Sequence, residues 1–207
     1  MFTENLAFAY PGAGELRFPD IACPPGSELL VLGQSGSGKT TLLQLLAGLR
    51  TAGSGTVRLA GTELAALSGA QRDRYRGRHV GIVFQQAHFL RSLRVDENLA
   101  LARTLAGLPA DAGLITALLE RLGLAHKQRS RTTALSVGEQ QRVAIARALV
   151  CGPELILADE PTSALDDRNA AAVVTLLREQ AAAAGATLLI VTHDQRLKDA
   201  FANRIEL

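Results

Sequence analysis

Residues Gly33 to Thr40 read GQSGSGKT, a spacing in which two glycines bracket four residues and a lysine and a threonine follow. This spacing suits phosphate chemistry. Glycines let successive backbone N–H groups curl around an anion without Cβ clashes. Lys39 can reach the β- and γ-phosphates of a nucleotide, and the Thr40 hydroxyl can ligate Mg²⁺. Gly33, Gln34, Ser35, Gly36, Ser37, Gly38, Lys39, Thr40 and the adjoining Thr41 are the expected cradle. A second acidic pair follows an apolar run in LILADE, Leu155 to Glu160. Asp159 is placed to hold Mg²⁺ through its water shell, and Glu160, one residue beyond, to orient and activate a water. His193 in IVTHD ends the next apolar run and is expected at the same edge as a γ-phosphate contact. No N-K-x-D motif accompanies the loop, which argues against guanine specificity.

For these groups to meet, the apolar runs must be strands of one sheet that release their chemistry at one end. SELLVLG (27–33), HVGIVFQ (79–85), ELILADE (154–160) and TLLIVTH (187–193) read as such strands. ENLAFAY, ELRFPD and GTVRLAG read as shorter strands of the first sixty residues. Residues from about 96 to 150 show helical spacing, a further helix is expected over about 167–184 with Gly185 as its stop, and a short helix precedes RIEL. Strands alternating with helices predict an α/β fold whose parallel sheet is covered on both faces, with the helical middle as an insertion.

Composition sets the outer bounds. The 207 residues are 47% hydrophobic and 20% charged, which describes an ordinary globular chain, and the formal net charge of +2 is a weak hint of an acidic partner and no evidence of nucleic-acid binding. Cys23 and Cys151 lie far apart with no metal spacing and read as small core side chains. No stretch nears the roughly 18 apolar residues of a spanning helix, and MFTENLAFAY lacks the form of a secretory signal. RDRYRGRH (72–79) reads as a solvated face, with contact to a partner subunit or lipid headgroups as its sharper use.

The segment LSVGEQQR (135–142) holds S-x-x-E, a capping box at a helix start. Ser136 as N-cap makes Val137 the first helical residue.

GQSGSGKT, Gln85 in VFQQ, LSVGEQQR, LILADEP, SALD and His193 occur in one order, and through them the chain resembles the ATP-binding subunit of an ABC transporter over essentially its full length. The resemblance implies a P-loop NTPase (RecA-like) parallel-sheet core, an N-terminal antiparallel β subdomain and an inserted α-helical subdomain. Residues 1–85 and 151–207 form the β and core parts, and about 86–150 the helical subdomain with the signature. It also implies ATP and Mg²⁺ as ligands and Tyr10 as the aromatic residue that stacks on adenine. A head-to-tail dimer follows, in which Ser136 and Gly138 give donors to the partner's γ-phosphate and Asp166 crosses the interface. Gln85 would link Mg²⁺ and the attacking water to the helical insertion, which grips a transmembrane permease subunit on a separate chain. The expected place is cytoplasmic, peripheral on the inner face of the membrane, with no nucleic-acid partner.

RHVGIVFQQ with SLRVDENL looks like the branch that drives lipoprotein release, macrolide and peptide efflux, and the septal cell-division complex. An ATP-driven mechanical switch without transport is the alternative within that branch. A DNA-associated relative would carry a long coiled-coil or zinc insertion. Because the sequence stops after the core, the C-terminal regulatory domain that many sugar importers carry is not expected. Val137 and Glu139 depart from the usual L-S-G-G-Q, and Glu139 is expected to bring an unfavourable charge near the partner's γ-phosphate.

Overall fold

The computed structural model describes every residue except Ala13 and Ala164. Ala164 belongs to SALD, so that part of the sequence reading lies outside the described residues. Two sheets organise the chain. Strands β1 (Phe2–Ala9), β2 (Glu15–Arg17), β4 (Ser54–Leu59) and β5 (Thr62–Glu63) pair antiparallel in the order β2-β1-β4-β5. Strands β3 (Glu28–Leu32), β6 (Val80–Val83), β7 (Leu155–Asp159), β8 (Thr187–Thr192) and β9 (Arg204–Glu206) form the parallel sheet β6-β7-β8-β3-β9.

The parallel strands are apolar at nearly every position because both faces are covered. With the two-residue period of a strand, Leu30, Leu32, Ile156, Ala158, Leu188 and Ile190 pack on one side among the helices. Leu29, Val31, Leu155, Leu157, Leu189 and Val191 pack on the other, with the antiparallel sheet and helix α1 (Lys39–Leu46). Leu30 and Leu32 are completely buried, so truncating either to alanine would cost about 2–5 kcal/mol. Such a rigid sheet holds its strand ends in fixed register.

The helical stretch expected over about 96–150 divides into α3 (Val95–Leu105), α4 (Ala112–Arg121) and α5 (Val137–Leu149), with short 3-10 turns at Ala125–Lys127 and Thr132–Ala134. Helix α5 approaches β6 so closely that a Cβ on Gly81 would meet the Ala148 carbonyl. This close seat anchors the helix that begins at the signature. Helix α6 (Asp167–Ala184) ends at Gly185, whose φ of 63° forms a left-handed cap.

RDRYRGRH, expected as a solvated face, forms the body of helix α2 (Gly69–His79), an element the sequence reading did not show. No residue of α2 is buried, so it has no apolar stripe for a sequence reading to find. A capping box of Ser68 and Gln71 starts it. Its arginines act as intramolecular staples: Arg72 donates to Thr51 Oγ1 (3.0 Å), Arg76 to the Gly48 carbonyl (3.3 Å) and to Asp73 (2.7 Å), and Arg78 to the Ala106 carbonyl (3.0 Å).

Candidate active site

The loop from β3 to α1 is shaped by two glycines in the left-handed region, Gly36 (φ 84°) and Gly38 (φ 96°), where an L side chain is strained. Gly38 is the N-cap of α1 and supplies no side chain, so the first N–H groups of that helix are not satisfied by a cap. An uncapped helix start inside a curled loop is a cradle for an anion. Lys39 is buried, and its Nζ donates to the carbonyls of Gly33 (2.8 Å) and Gln34 (2.8 Å) and lies 3.6 Å from Glu160 Oε1. The Ser37 hydroxyl is buried and has no hydrogen-bond partner among the described residues.

Strand β7 delivers Asp159 beside this loop. Thr40 Oγ1 donates to Asp159 Oδ2 at 3.1 Å, so hydroxyl and carboxylate converge from two elements far apart in sequence. Burial pushes the Asp159 carboxyl above its usual range, the Thr40 hydroxyl opposes that shift, and the Glu160 charge adds to it. Burial makes the Asp159 charge costly without a countercharge, and a cation held between that carboxylate and the Thr40 hydroxyl would supply one.

Glu160 has φ 47°, a left-handed backbone on a non-glycine residue, and strain of this kind is held where surrounding bonds over-determine it. Its N–H donates to the Val191 carbonyl (2.9 Å). The carboxylate accepts from Thr192 Oγ1 (2.8 Å) and from the His193 N–H (3.1 Å), and pairs with His193 Nδ1 (2.9 Å). Glu160 and His193 thus meet at adjacent strand ends, as the sequence predicts.

Tyr10 follows β1. Its hydroxyl shares a hydrogen bond with Thr41 Oγ1 (2.9 Å), the Phe8 ring meets it edge-on at 4.9 Å, and the Arg50 guanidinium lies 4.9 Å from its ring centre. Gln85 Nε2 donates to Ser163 Oγ (3.1 Å), which donates to the Glu160 carbonyl (3.1 Å).

These residues line one cavity of about 760 Å³, bounded by Tyr10, Ser35, Gly36, Gly38, Lys39, Thr40, Thr41, Gln85, Glu160 and His193. That size suits a nucleotide. Gly33, Gln34 and Ser37 line an adjoining cavity on the other side of the loop. Ser136, Gly138 and Asp166 are not brought to either. Gly138 and Asp166 line a separate cavity of about 710 Å³ with Val137 and Arg142. Ser136 is the N-cap of α5 with φ −63°, its Oγ accepts from the Glu139 N–H (3.3 Å), and Glu139 Oε2 accepts from the Ser136 N–H (2.8 Å). Val137 is 67% exposed. Asp166 caps α6 by accepting from the Asn169 N–H (2.9 Å).

Sequence reasoning missed the groups that hold the catalytic ones. Thr192 is one. Asp194 is another: it accepts from Thr162 Oγ1 (2.8 Å) and Arg196 Nη2 (2.7 Å), and Arg196 also pairs with Asp167 at the start of α6. The Arg196 guanidinium, followed by the Thr162 hydroxyl and the Arg196 N–H, lowers the Asp194 carboxyl to about 2 in spite of its partial burial. T-H-D-x-R at a strand end was the available signal, but only the fold shows that Asp194 meets Thr162 and that Arg196 reaches α6.

The sequence model of the family described as ABC transporter matches residues 17–163. The lipoprotein-releasing system ATP-binding protein LolD of Pseudoalteromonas translucida is 42% identical over 202 residues, covering 95% of this chain and 87% of that protein. LolD 1 of Rhodopirellula baltica is 38% identical over 213 residues, covering 100% and 93%. The dimeric post-hydrolysis structure of the ATP-binding cassette MJ0796 bound to ADP and Pi superposes with a TM-score of 0.87 at 29% identity, over 100% of this chain and 93% of that one. The structure of cbiO1 from Clostridium perfringens, part of the ABC transporter complex cbiONQ, gives 0.88 at 28% identity over 99% and 83%. The chain belongs to the ABC transporter family and is one of its ATP-hydrolysing subunits.

Proposed function

We propose that ATP binds in the Gly33–Thr41 cradle and is hydrolysed when the signature segment of a second subunit closes over it head to tail. The observation that carries this reading is the split within one chain. The cradle with Lys39, Glu160 and His193 lines one cavity, whereas Gly138 and Asp166 line another. Residues of one site on two surfaces are complete only when two copies face each other. At the signature the capping box uses the N–H groups of Ser136 and Glu139, leaving those of Val137 and Gly138 and the Ser136 hydroxyl for a γ-phosphate.

Thr40, Asp159 and Gln85 would hold Mg²⁺, which would neutralise phosphate charge. Lys39 exchanges its loop carbonyls for β- and γ-phosphate oxygens. Glu160 takes the proton of the attacking water, and His193, 58% exposed at its side chain, has room to turn from Glu160 toward the γ-phosphate. Tyr10 stacks on the adenine, with its ring held by Thr41 and Arg50. Release of phosphate removes the charge that both halves neutralise, and the pair opens.

The work is delivered to a membrane partner, a reading supported by the likeness to ATP-binding subunits of lipoprotein-releasing systems. A groove of about 700 Å³ between α2, β6, α3 and α5, with Leu105 75% exposed at its rim, offers the docking surface. The lipoprotein-releasing relatives, 38–44% identical, support a lipid-anchored protein as cargo and a place on the inner face of the membrane. The test is sedimentation of Glu160→Gln protein with ATP: a dimer is expected, and a monomer at saturating ATP overturns the composite site. Reconstitution with the membrane subunits should then show ATP-dependent lipoprotein release, whereas turnover without release favours a mechanical switch.

A further inference from the structure

Glu139 stands in the first turn of α5, where a carboxylate opposes any incoming phosphate. The structure does not leave that charge bare. One carboxylate oxygen accepts the Ser136 N–H at 2.8 Å. The other lies 3.2 Å from Lys127 Nζ and 3.7 Å from His126 Nε2. The Glu139 side chain is only 14% exposed. Ser136, with Lys127 second in contact, holds its carboxyl at about 2, so it stays ionised. Lys127 and His126 come from the 3-10 turn Ala125–Lys127, whose exit is fixed to other elements. The Gln128 carbonyl accepts the Asp96 N–H (3.0 Å), and Gln128 Nε2 donates to Thr116 (3.1 Å). Among the described residues Lys127 pairs with no other carboxylate.

We propose that Lys127 is a positioning residue for ATP-driven closure. It cancels the Glu139 charge and keeps that carboxylate turned back on Ser136. The Val137 and Gly138 N–H groups and the Ser136 hydroxyl then meet the partner's γ-phosphate without an uncompensated anion beside them. This inference deepens the composite-site reading and rests on it.

The experiment measures the ATP concentration at half-dimerisation by sedimentation, in the Glu160→Gln background. It compares Lys127→Met, Lys127→Arg, Glu139→Gln and the double variant Lys127→Met/Glu139→Gln. Lys127→Met is expected to raise that concentration by about tenfold, a coupling typical of a lost charge partner. Lys127→Arg restores it, because the charge returns. The double variant returns to the value of Glu139→Gln alone, because the charge to be cancelled is gone. An unchanged midpoint in Lys127→Met overturns the proposal. So does a double variant as impaired as Lys127→Met, which marks a purely structural role. Absence of any dimer with Lys127 intact overturns the composite site itself, and that result is distinct because no Lys127 substitution is involved.

Discussion

Helices α1 and α5, whose N-termini are both proposed to meet phosphate, begin in opposite ways. The first starts at an uncapped glycine with φ 96°, inside a loop stiffened by Lys39 and flanked by three strand ends. The second starts at a full Ser136–Glu139 capping box that satisfies two donors before any ligand arrives, and it presents the exposed Val137. An uncapped start leaves its partial charge for a ligand at a cost in local stability, whereas a capped start is stable alone and offers less. On the proposed composite site, the cradle would hold nucleotide by itself. The signature end would add a smaller, reversible contribution that depends on assembly.

Substitutions on the two sides should differ in kind as well as in size. Glu160→Gln should lower hydrolysis by about 10²–10⁴-fold while ATP still binds, because the amide keeps the Thr192 contact but cannot take a proton. A hydrolysis rate equal to that of the unaltered chain would remove Glu160 as the base. Lys39→Ala should weaken ATP binding to the isolated chain by about 10–100-fold through loss of charge-assisted bonds, as read by fluorescent-nucleotide titration. Ser136→Ala should leave that titration unchanged and raise the ATP needed for dimerisation by about fivefold, with about 1 kcal/mol of helix stability lost with the cap. If Ser136→Ala weakened binding to the monomer as strongly as Lys39→Ala, the division of labour would collapse.

Acid separates the two sides in another way. Asp194 and Glu139 both have carboxyls lowered to about 2, the first chiefly by Arg196 and the second chiefly by the Ser136 N–H. A depressed pKa means that the charged form stabilises the fold. That stability is complete above the ordinary carboxylate range and is lost as pH falls from roughly 4 toward 2. Asp159 is shifted the other way by burial, so its protonation on acidification relieves a cost instead. Acid unfolding followed by circular dichroism should shift to higher pH in the variant Arg196→Met, which loses the guanidinium beside Asp194. An unchanged acid transition would show that the clamp contributes nothing. The smallest effect is expected from Tyr10→Phe, which loses only the Thr41 hydrogen bond and keeps the ring. A loss of about two- to threefold in ATP affinity is the expected reading, and a tenfold loss would mean that the hydroxyl does more than orient the ring.

Much of the fold and the cradle was legible because the signals are local. An apolar run, a glycine-rich turn and a helix start lie within twenty residues of one another, and backbone sterics alone tie them together. The strand-end acids were legible for a similar reason, since a buried strand must release its polar residue at its tip. Helix α2 was not legible, because it carries no apolar stripe and is held by arginines that reach carbonyls about thirty residues away. The support for Glu160 was also hidden: Thr192 lies one strand over, and nothing in its own neighbourhood marks it. Glu139 is the clearest instance. The sequence shows a carboxylate where an amide is usual, and a reading of α5 alone makes it an obstacle, while the turn packed against it supplies Lys127.

The sequence by itself determined which chemistry the chain carries, because phosphate binding and water activation depend on residue types at short spacings that few other structures require. Only the tertiary structure decided which charges face which. Charge pairing depends on distances of 3 to 4 Å between elements that sequence separation does not constrain. It placed Glu139 against Lys127, Arg196 against Asp167, and Gly138 away from Lys39, making the cradle one surface and the signature another.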